Sequence, residues 1–371
     1  MAFCMDRIRR GSAAALVALG LAACDSNMPE TFNAEATSGD VNAMTGIFAA
    51  PVFESFAAVS GDVDEVTGAG ASASIAQLRS GADGRRVDAA RYAGRLRAIL
   101  PADATAATGF SASSADIPPD ALGKTWVYDT ATDTYVASDI PGAPANGVRF
   151  LLYAVDPVTH QVAEPLNQLG YVDVLDLSSS NNRAARIIVV SGSTTYLDYG
   201  VEASGTATGG RVLVDGFVTD GATRADFRLD NRIVMTSLSS GQATLDYAIE
   251  VPSRDLDFGF DLTVSLDAEA ESAALTLGLE LSGPNGHVNL SGDFTTLGGS
   301  GSLDVDVNGE DFATIQVTTT PTTTTIEILG AGGNALTEQE REALENIFGA
   351  FEEAFDVVDD LLRPVDNLTA G

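Results

Sequence analysis

The 371-residue chain is long enough for one large or two ordinary domains, and 45% hydrophobic residues at a mean hydropathy of +0.11 supply material for a packed core. Its charge is one-sided, with 52 acidic against 20 basic residues and a formal net charge of −32 at pH 7. A surface of that sign repels phosphate backbones and anionic headgroups, which argues against nucleic acid as a partner and against a basic patch as a route to the bilayer.

The acidity has two readings, solubility or adaptation to a salty medium on one side and binding of cations or cationic ligands on the other. Cysteine is scarce. Cys4 and Cys24 both lie in the first 24 residues, so the remainder has no thiol for a disulfide, a thiolate metal site or a nucleophile.

Residues 1–23 have the parts of an export signal. Arg7, Arg9 and Arg10 form a positive start, and Ala13 to Ala23 a short apolar run. That run is well under the roughly 20 residues needed to span a bilayer. It ends in Leu21-Ala22-Ala23-Cys24, with small residues where a peptidase must approach the backbone. The motif resembles the lipobox of bacterial lipoproteins. The resemblance implies cleavage between Ala23 and Cys24, acylation of Cys24, and a bilayer as partner through its acyl chains. Asp25 resembles the sorting residue of inner-membrane lipoproteins in enteric bacteria, and which membrane and leaflet hold the protein stays open.

Residues 24–40 are polar and aperiodic, a tether. Residues 41–115 form a small Ala- and Gly-rich segment with helical signals. A short helix is expected around Ile47, Phe48, Val52, Phe53, Phe56 and Val59, and a second one from Gly84 to Leu100, stopped by Pro101. The second carries Arg85, Arg86, Arg91, Arg95 and Arg97, which read as a solvated face or as a surface for an acidic partner or for anionic lipid near the anchor.

Residues 116–330 read as an antiparallel β domain of roughly twelve to sixteen strands. The early runs are Trp126 to Tyr128, Tyr135-Val136 and Val148 to Val155. Alternation then becomes clean. Leu256, Phe258, Phe260, Leu262 and Val264 point one way, with Asp255, Asp257 and Asp261 opposite. Leu275 to Leu281, then Leu303, Val305 and Val307, then Ile326 and Ile328 repeat the pattern. Turns are expected at Asp220-Gly221, Ser240-Gly241, Asn285-Gly286, Gly298-Gly299 and Asn308-Gly309.

In residues 331–371, Thr337 and Glu340 fit a capping box opening an amphipathic helix. Leu344, Phe348, Phe351, Phe355, Val358 and Leu362 make its stripe, expected to pack on the sheet, with Phe348, Phe351 and Phe355 as candidate ligand-facing residues.

Catalytic motifs are missing. His160 and His287 are the only histidines and have no partner at ligand spacing, no Gly-x-Ser-x-Gly elbow occurs, and Gly298 to Gly301 lacks the lysine of a phosphate loop. Asp304, Asp306, Asn308 and Gly309 imitate the start of a Ca²⁺ loop, but the twelfth position is Ile315 instead of Glu, which favours a hairpin with outward aspartates over a weak Ca²⁺ site. No catalytic residue, resident metal or cofactor is expected.

The expected fold is mainly β, a long antiparallel meander forming an open barrel or roll, with an Ala-rich N-terminal helical segment and an amphipathic C-terminal helix on the sheet. At the level of architecture this is similar to periplasmic lipoprotein carriers, whose open barrels hold acyl chains under helices. The expected function is a non-enzymatic cell-envelope lipoprotein, at the cell membrane or outer membrane with its domain in the periplasm or at the surface. It would bind an apolar ligand such as a lipid acyl chain, or a partner protein, on a curved sheet. The alternatives are a structural or adhesive surface lipoprotein stabilised by Ca²⁺ and, less favoured, a hydrolase of envelope polymers.

Overall fold

The computed structural model describes residues 36, 39, 46–53, 55–56, 117–156, 159, 161–180, 182–206, 208–237, 240–267, 272–295, 300–319, 324–338 and 340–345. The lipobox with Cys24 and Asp25, the arginine-rich segment, His160, the Gly298-Gly299 pair and the Phe348, Phe351 and Phe355 stripe lie outside the described residues.

Alternating sequence becomes strand because one face can be buried while the other stays wet. Among the described residues fifteen strands form: β1 (Thr125–Asp129), β2 (Thr134–Ser138), β3 (Gly147–Tyr153), β4 (Gln168–Asp176), β5 (Arg183–Ser191), β6 (Thr194–Thr206), β7 (Gly209–Thr219), β8 (Arg224–Met235), β9 (Ser240–Val251), β10 (Leu256–Asp267), β11 (Ser272–Gly283), β12 (Gly286–Thr295), β13 (Ser300–Val307), β14 (Glu310–Thr319) and β15 (Thr324–Gly330). They make one unclosed sheet, ordered β15 down to β3 and then β1 and β2. Every ladder is antiparallel except a short parallel pairing of β1 with β3, Thr125 opposite Arg149 and Trp126 opposite Phe150. The expected meander therefore holds, apart from that one exchange at its start.

Registers place the apolar residues in rows across the strands. One row runs Tyr199, Gly216, Phe227, Ile249, Phe258, Leu281, Val288 and Val307 from β6 to β13. The next runs Val201, Val214, Leu229, Tyr247, Phe260, Leu279, Leu290 and Val305. All these side chains are almost fully buried, while Asp246, Glu250, Asp257 and Asp261 on the opposite face are exposed. A flat single sheet would leave both faces wet, so burial of one face along these eight strands is the signature of an open roll with that face inside.

Turn chemistry is partly as expected. Asn308 (φ 55°) and Gly309 (φ 80°) both take the left-handed conformation that a two-residue hairpin with matching twist requires, and Val307 pairs with Glu310 around them. Asp220 opens the β7–β8 turn by accepting the amides of Ala222 and Thr223 at 2.8 and 2.6 Å. Two turns shift. Ser240 and Gly241 are the first residues of β9, and the turn precedes them, with the amides of Thr236 and Ser237 donating to the Ser240 carbonyl. Between β11 and β12, Gly283 pairs with Gly286, so Pro284 and Asn285 fill the loop. Asp255 is not on the outer face of β10 but in the left-handed residue (φ 52°) closing the 3-10 turn Pro252–Arg254.

The N-terminal helical signal is realised as a 3-10 turn, Gly46–Ala49, continuing into helical residues at 51–53 and 55–56. Its Ile47, Val52, Phe53 and Phe56 belong to the same buried cluster as the sheet, and Phe53 meets Tyr196 of β6 edge-on at 6.2 Å. The capping box is present as well. The Thr337 amide donates to Glu340 Oε2 at 2.7 Å, and the Glu340 amide to Thr337 Oγ1 at 3.3 Å. The described start of this helix buries Leu336, Ala343 and Leu344 in the common core.

Candidate functional site

Two surfaces of the roll concentrate chemistry. Strand alternation assigns the first to the inside. Tyr199 and Phe227 meet at 6.1 Å over Gly216, and Tyr247 and Phe258 meet at 6.1 Å beside them. Toward β1, Trp126 stacks on Phe150 at 5.8 Å, and Tyr135 contacts Tyr128, Phe150 and Tyr153. A register shift between Leu152 and Tyr153 turns Tyr153 into this group.

Within that apolar lining a few polar atoms stand out. The Tyr135 hydroxyl donates to the Leu151 carbonyl at 2.7 Å. The Tyr247 hydroxyl is buried with no hydrogen-bond partner, and its burial holds the phenol well above its ordinary pKa. Trp126 Nε1 is buried and unpaired too, as is Thr125 Oγ1 on the Arg149 side of β1. An unpaired buried hydroxyl costs about 1–3 kcal/mol, which sets Tyr247 apart from the apolar side chains around it.

The outer face carries a ladder of ions. Arg149 makes a two-pronged pair with Asp173 at 2.7 Å on each prong and lies 3.6 Å above the Tyr171 ring; the hydrogen bonds to Asp173 raise its pKa. Arg186 grips Asp198 at 2.6 and 2.7 Å. Asp230 accepts from Arg211 at 2.7 and 2.6 Å and from Arg232 at 3.2 and 2.8 Å, with Arg228 at 3.9 Å. The hydrogen bonds from Arg211, and after them those from Arg232, hold its carboxyl far below the usual range against the opposing effect of burial.

Beyond β8 the arginines leave the strands. No lysine or arginine occurs in strands β9 to β15, whereas Asp246, Glu250, Asp257, Asp261, Glu280, Asp293, Asp304 and Asp306 continue on them. Asp230, Asp246 and Asp261 stand in one cross-strand row. Burial, then a hydrogen bond with Asp246 and the charges of Asp246 and Glu280, raise the Asp261 pKa. An open hollow of about 350 Å³ lies over Arg228, Asp230, Asp246, Ala248, Gly259 and Asp261.

Among the residues singled out by sequence, Asp304 and Asp306 alternate on the outside of β13, where Thr314 Oγ1 donates to Asp304 at 3.0 Å. Asn308 sits in the following turn, and its side-chain oxygen accepts the His287 amide at 2.9 Å. That oxygen is already engaged in holding β12 to the turn. Among the described residues no group of three His, Cys, Asp or Glu is placed to hold a metal ion, and no helix is long and apolar enough to cross a membrane. His287 Nδ1 lies 3.7 Å from Glu280. Sequence reasoning passed over Tyr247 and the aspartate row, because both depend on which residues adjoin across strands. Compared with family models, curated proteins and solved structures, the chain gives no match.

Proposed function

We propose that the protein is a lipid-anchored envelope protein that holds an apolar ligand bearing a hydrogen-bond acceptor, such as an acyl chain with its carbonyl or carboxyl end, against the inner face of the roll. The anchor reading is supported by Leu21-Ala22-Ala23-Cys24 at the end of an apolar run. The ligand reading is supported by the inner rows of Leu, Val, Ile and Phe and is carried by one observation, the buried and unpaired hydroxyl of Tyr247. An apolar face gives affinity in proportion to area, about 25 cal/mol per Å², and a single donor fixes which end of the ligand sits where.

The test uses the full chain expressed in a bacterium, purified in detergent and analysed for bound lipid, then titrated with a fluorescent fatty acid. Tyr247→Phe keeps the ring and removes the donor. Uptake weakened about tenfold in a variant that stays folded is the expected result, equivalent to one lost hydrogen bond. Absence of lipid and of uptake, or uptake indifferent to Tyr247→Phe, overturns the ligand assignment. Cys24→Ser is expected to abolish acylation and release the protein from membranes, an outcome read separately by labelled fatty-acid incorporation.

A further inference from the structure

A sheet that does not close has two edges, and each offers unpaired backbone donors and acceptors to another strand. One edge here is β2, five residues long. The other is β15, seven residues of sequence TTIEILG, which pairs only with β14 among the described residues and in a regular register without a bulge. Edges are ordinarily protected by lysine, proline, bulges or brevity. β15 has no lysine, arginine or proline, and its one charge is Glu327.

The inner row that runs Leu303, Ile315 and Ile328 continues to this edge. Burial breaks off there. Leu303 and Ile315 are each 7% exposed and Ile328 is 41% exposed. On the outer face, exposed Glu327 stands opposite Gln316, and Asp293, Asp304, Asp306 and Asp311 on β12 to β14 have no lysine or arginine on those strands to balance them.

We infer that the β15 edge takes up an extended segment of a partner protein as an added strand, one that alternates β-branched or aliphatic residues with lysine or arginine. Backbone pairing supplies the affinity, and alternate side chains supply the selectivity. The apolar residues of that segment turn inward and cover Ile328; the basic ones turn outward beside Glu327 and meet the uncompensated carboxylates. A second copy of the chain fits this edge poorly, because its own β15 brings a glutamate and no base, and each copy carries a formal charge of −32. This edge is separate from the inner ligand face, and its test does not depend on Tyr247.

The test is fluorescence anisotropy of the full chain with labelled seven-residue peptides matching the length of β15. One alternates Val and Lys, one alternates Val and Glu, and one is the Val–Lys peptide methylated on alternate backbone nitrogens. The Val–Lys peptide is expected to bind, and methylation, the Val–Glu sequence or Ile328→Lys each to weaken binding at least about tenfold. Glu327→Lys, at an exposed side chain that leaves the strand signal in circular dichroism unchanged, is expected to reverse the preference between the Lys and Glu peptides. Three results overturn the inference: no peptide binding, Val–Lys binding indifferent to backbone methylation, or a dimer of the protein that Ile328→Lys dissociates.

Discussion

Asp246 and Asp261 stand directly opposite each other across the β9–β10 ladder, their carboxyls hydrogen-bonded, with Glu280 adding a third negative charge. Like charges in direct cross-strand register oppose pairing unless a proton lies between them. Burial first, and after it the hydrogen bond with Asp246 and the charges of Asp246 and Glu280, make the folded protein keep the Asp261 proton to a higher pH than the unfolded chain, whose carboxyl has its ordinary value of 3.8. The resulting stabilisation is full below that value and is lost as pH rises through the raised folded pKa. Asp261→Asn is expected to remove this loss and to stabilise the protein at neutral pH by about 0.5–1 kcal/mol, the scale of a cross-strand pair. Urea unfolding at several pH values between acid and neutral checks it, and a variant whose stability follows the wild-type pH curve contradicts the raised Asp261 pKa.

Asp230 has the opposite sign. Its carboxyl is held below 3.8 by Arg211 and Arg232, so its contribution is present above that value and is lost only as pH falls through the depressed folded pKa. Asp230→Asn removes the carboxylate that Arg211, Arg228 and Arg232 share, leaving the more distant Glu202 and Asp246 to offset their mutual repulsion. The variant is expected to melt lower than wild type at neutral pH and to recover part of the difference in added salt, which screens the three guanidiniums. Thermal unfolding at low and high ionic strength measures this, and a loss insensitive to salt would count against repulsion as its cause.

What could be read in the chain beforehand was what strand alternation and turn chemistry encode locally. Leu256 to Val264 announced a strand with one buried face, and Asn308-Gly309 announced its hairpin, because both signals lie within a few residues. Registers were not legible. A two-residue turn at Ser240-Gly241 would set Asp230 opposite Val251, whereas the turn that forms ahead of β9 sets it opposite Asp246. The aspartate row thus depends on where one loop closes, and the loop residues, with serines on both sides, leave that choice to the packing of Leu229 on Tyr247. The bulge between Val305 and Asp306, which lets consecutive Phe312 and Ala313 both be buried, depends in the same way on long-range packing. The Tyr247 hydroxyl was illegible for another reason, since an orphaned atom is defined by what fails to reach it.

Gly216 separates Tyr199 from Phe227 in the inner row, and the two rings close over it. A Cβ there would lie 2.3 Å from the Asp198 carbonyl oxygen and 2.4 Å from Tyr199 Cβ. Backbone cannot yield that much without parting the β6–β7 ladder. Gly216→Ala is expected to destabilise by about 1–3 kcal/mol, the usual range for overpacking, where alanine in an open strand would be neutral or favourable. Gly200→Ala is the control, since its nearest foreign atom would be 4.0 Å away. Equal midpoints in urea for the two variants would show that the glycine is not holding space for the aromatic pair.

The reciprocal bonds between Thr337 and Glu340 fix where the C-terminal helix begins, and that start has to be fixed because Leu336, Ala343 and Leu344 dock in the same core as the sheet. Glu340 is 1% exposed, so its carboxylate is a buried charge that depends on its hydrogen bonds, the one from the Thr337 amide among them. Thr337→Ala removes the hydroxyl that accepts the Glu340 amide but leaves the amide that serves the carboxylate; it is expected to cost about 1 kcal/mol, and Thr337→Ser close to nothing. Glu340→Ala takes away the other half of the box, freeing the Thr337 amide and opening space beside Leu344, and is expected to cost more than Thr337→Ala. Urea midpoints in the order wild type, Thr337→Ser, Thr337→Ala, Glu340→Ala would follow from this arrangement. A Thr337→Ala variant as stable as wild type would mean that packing of Leu336 and Leu344 alone holds the helix start, with the box adding nothing.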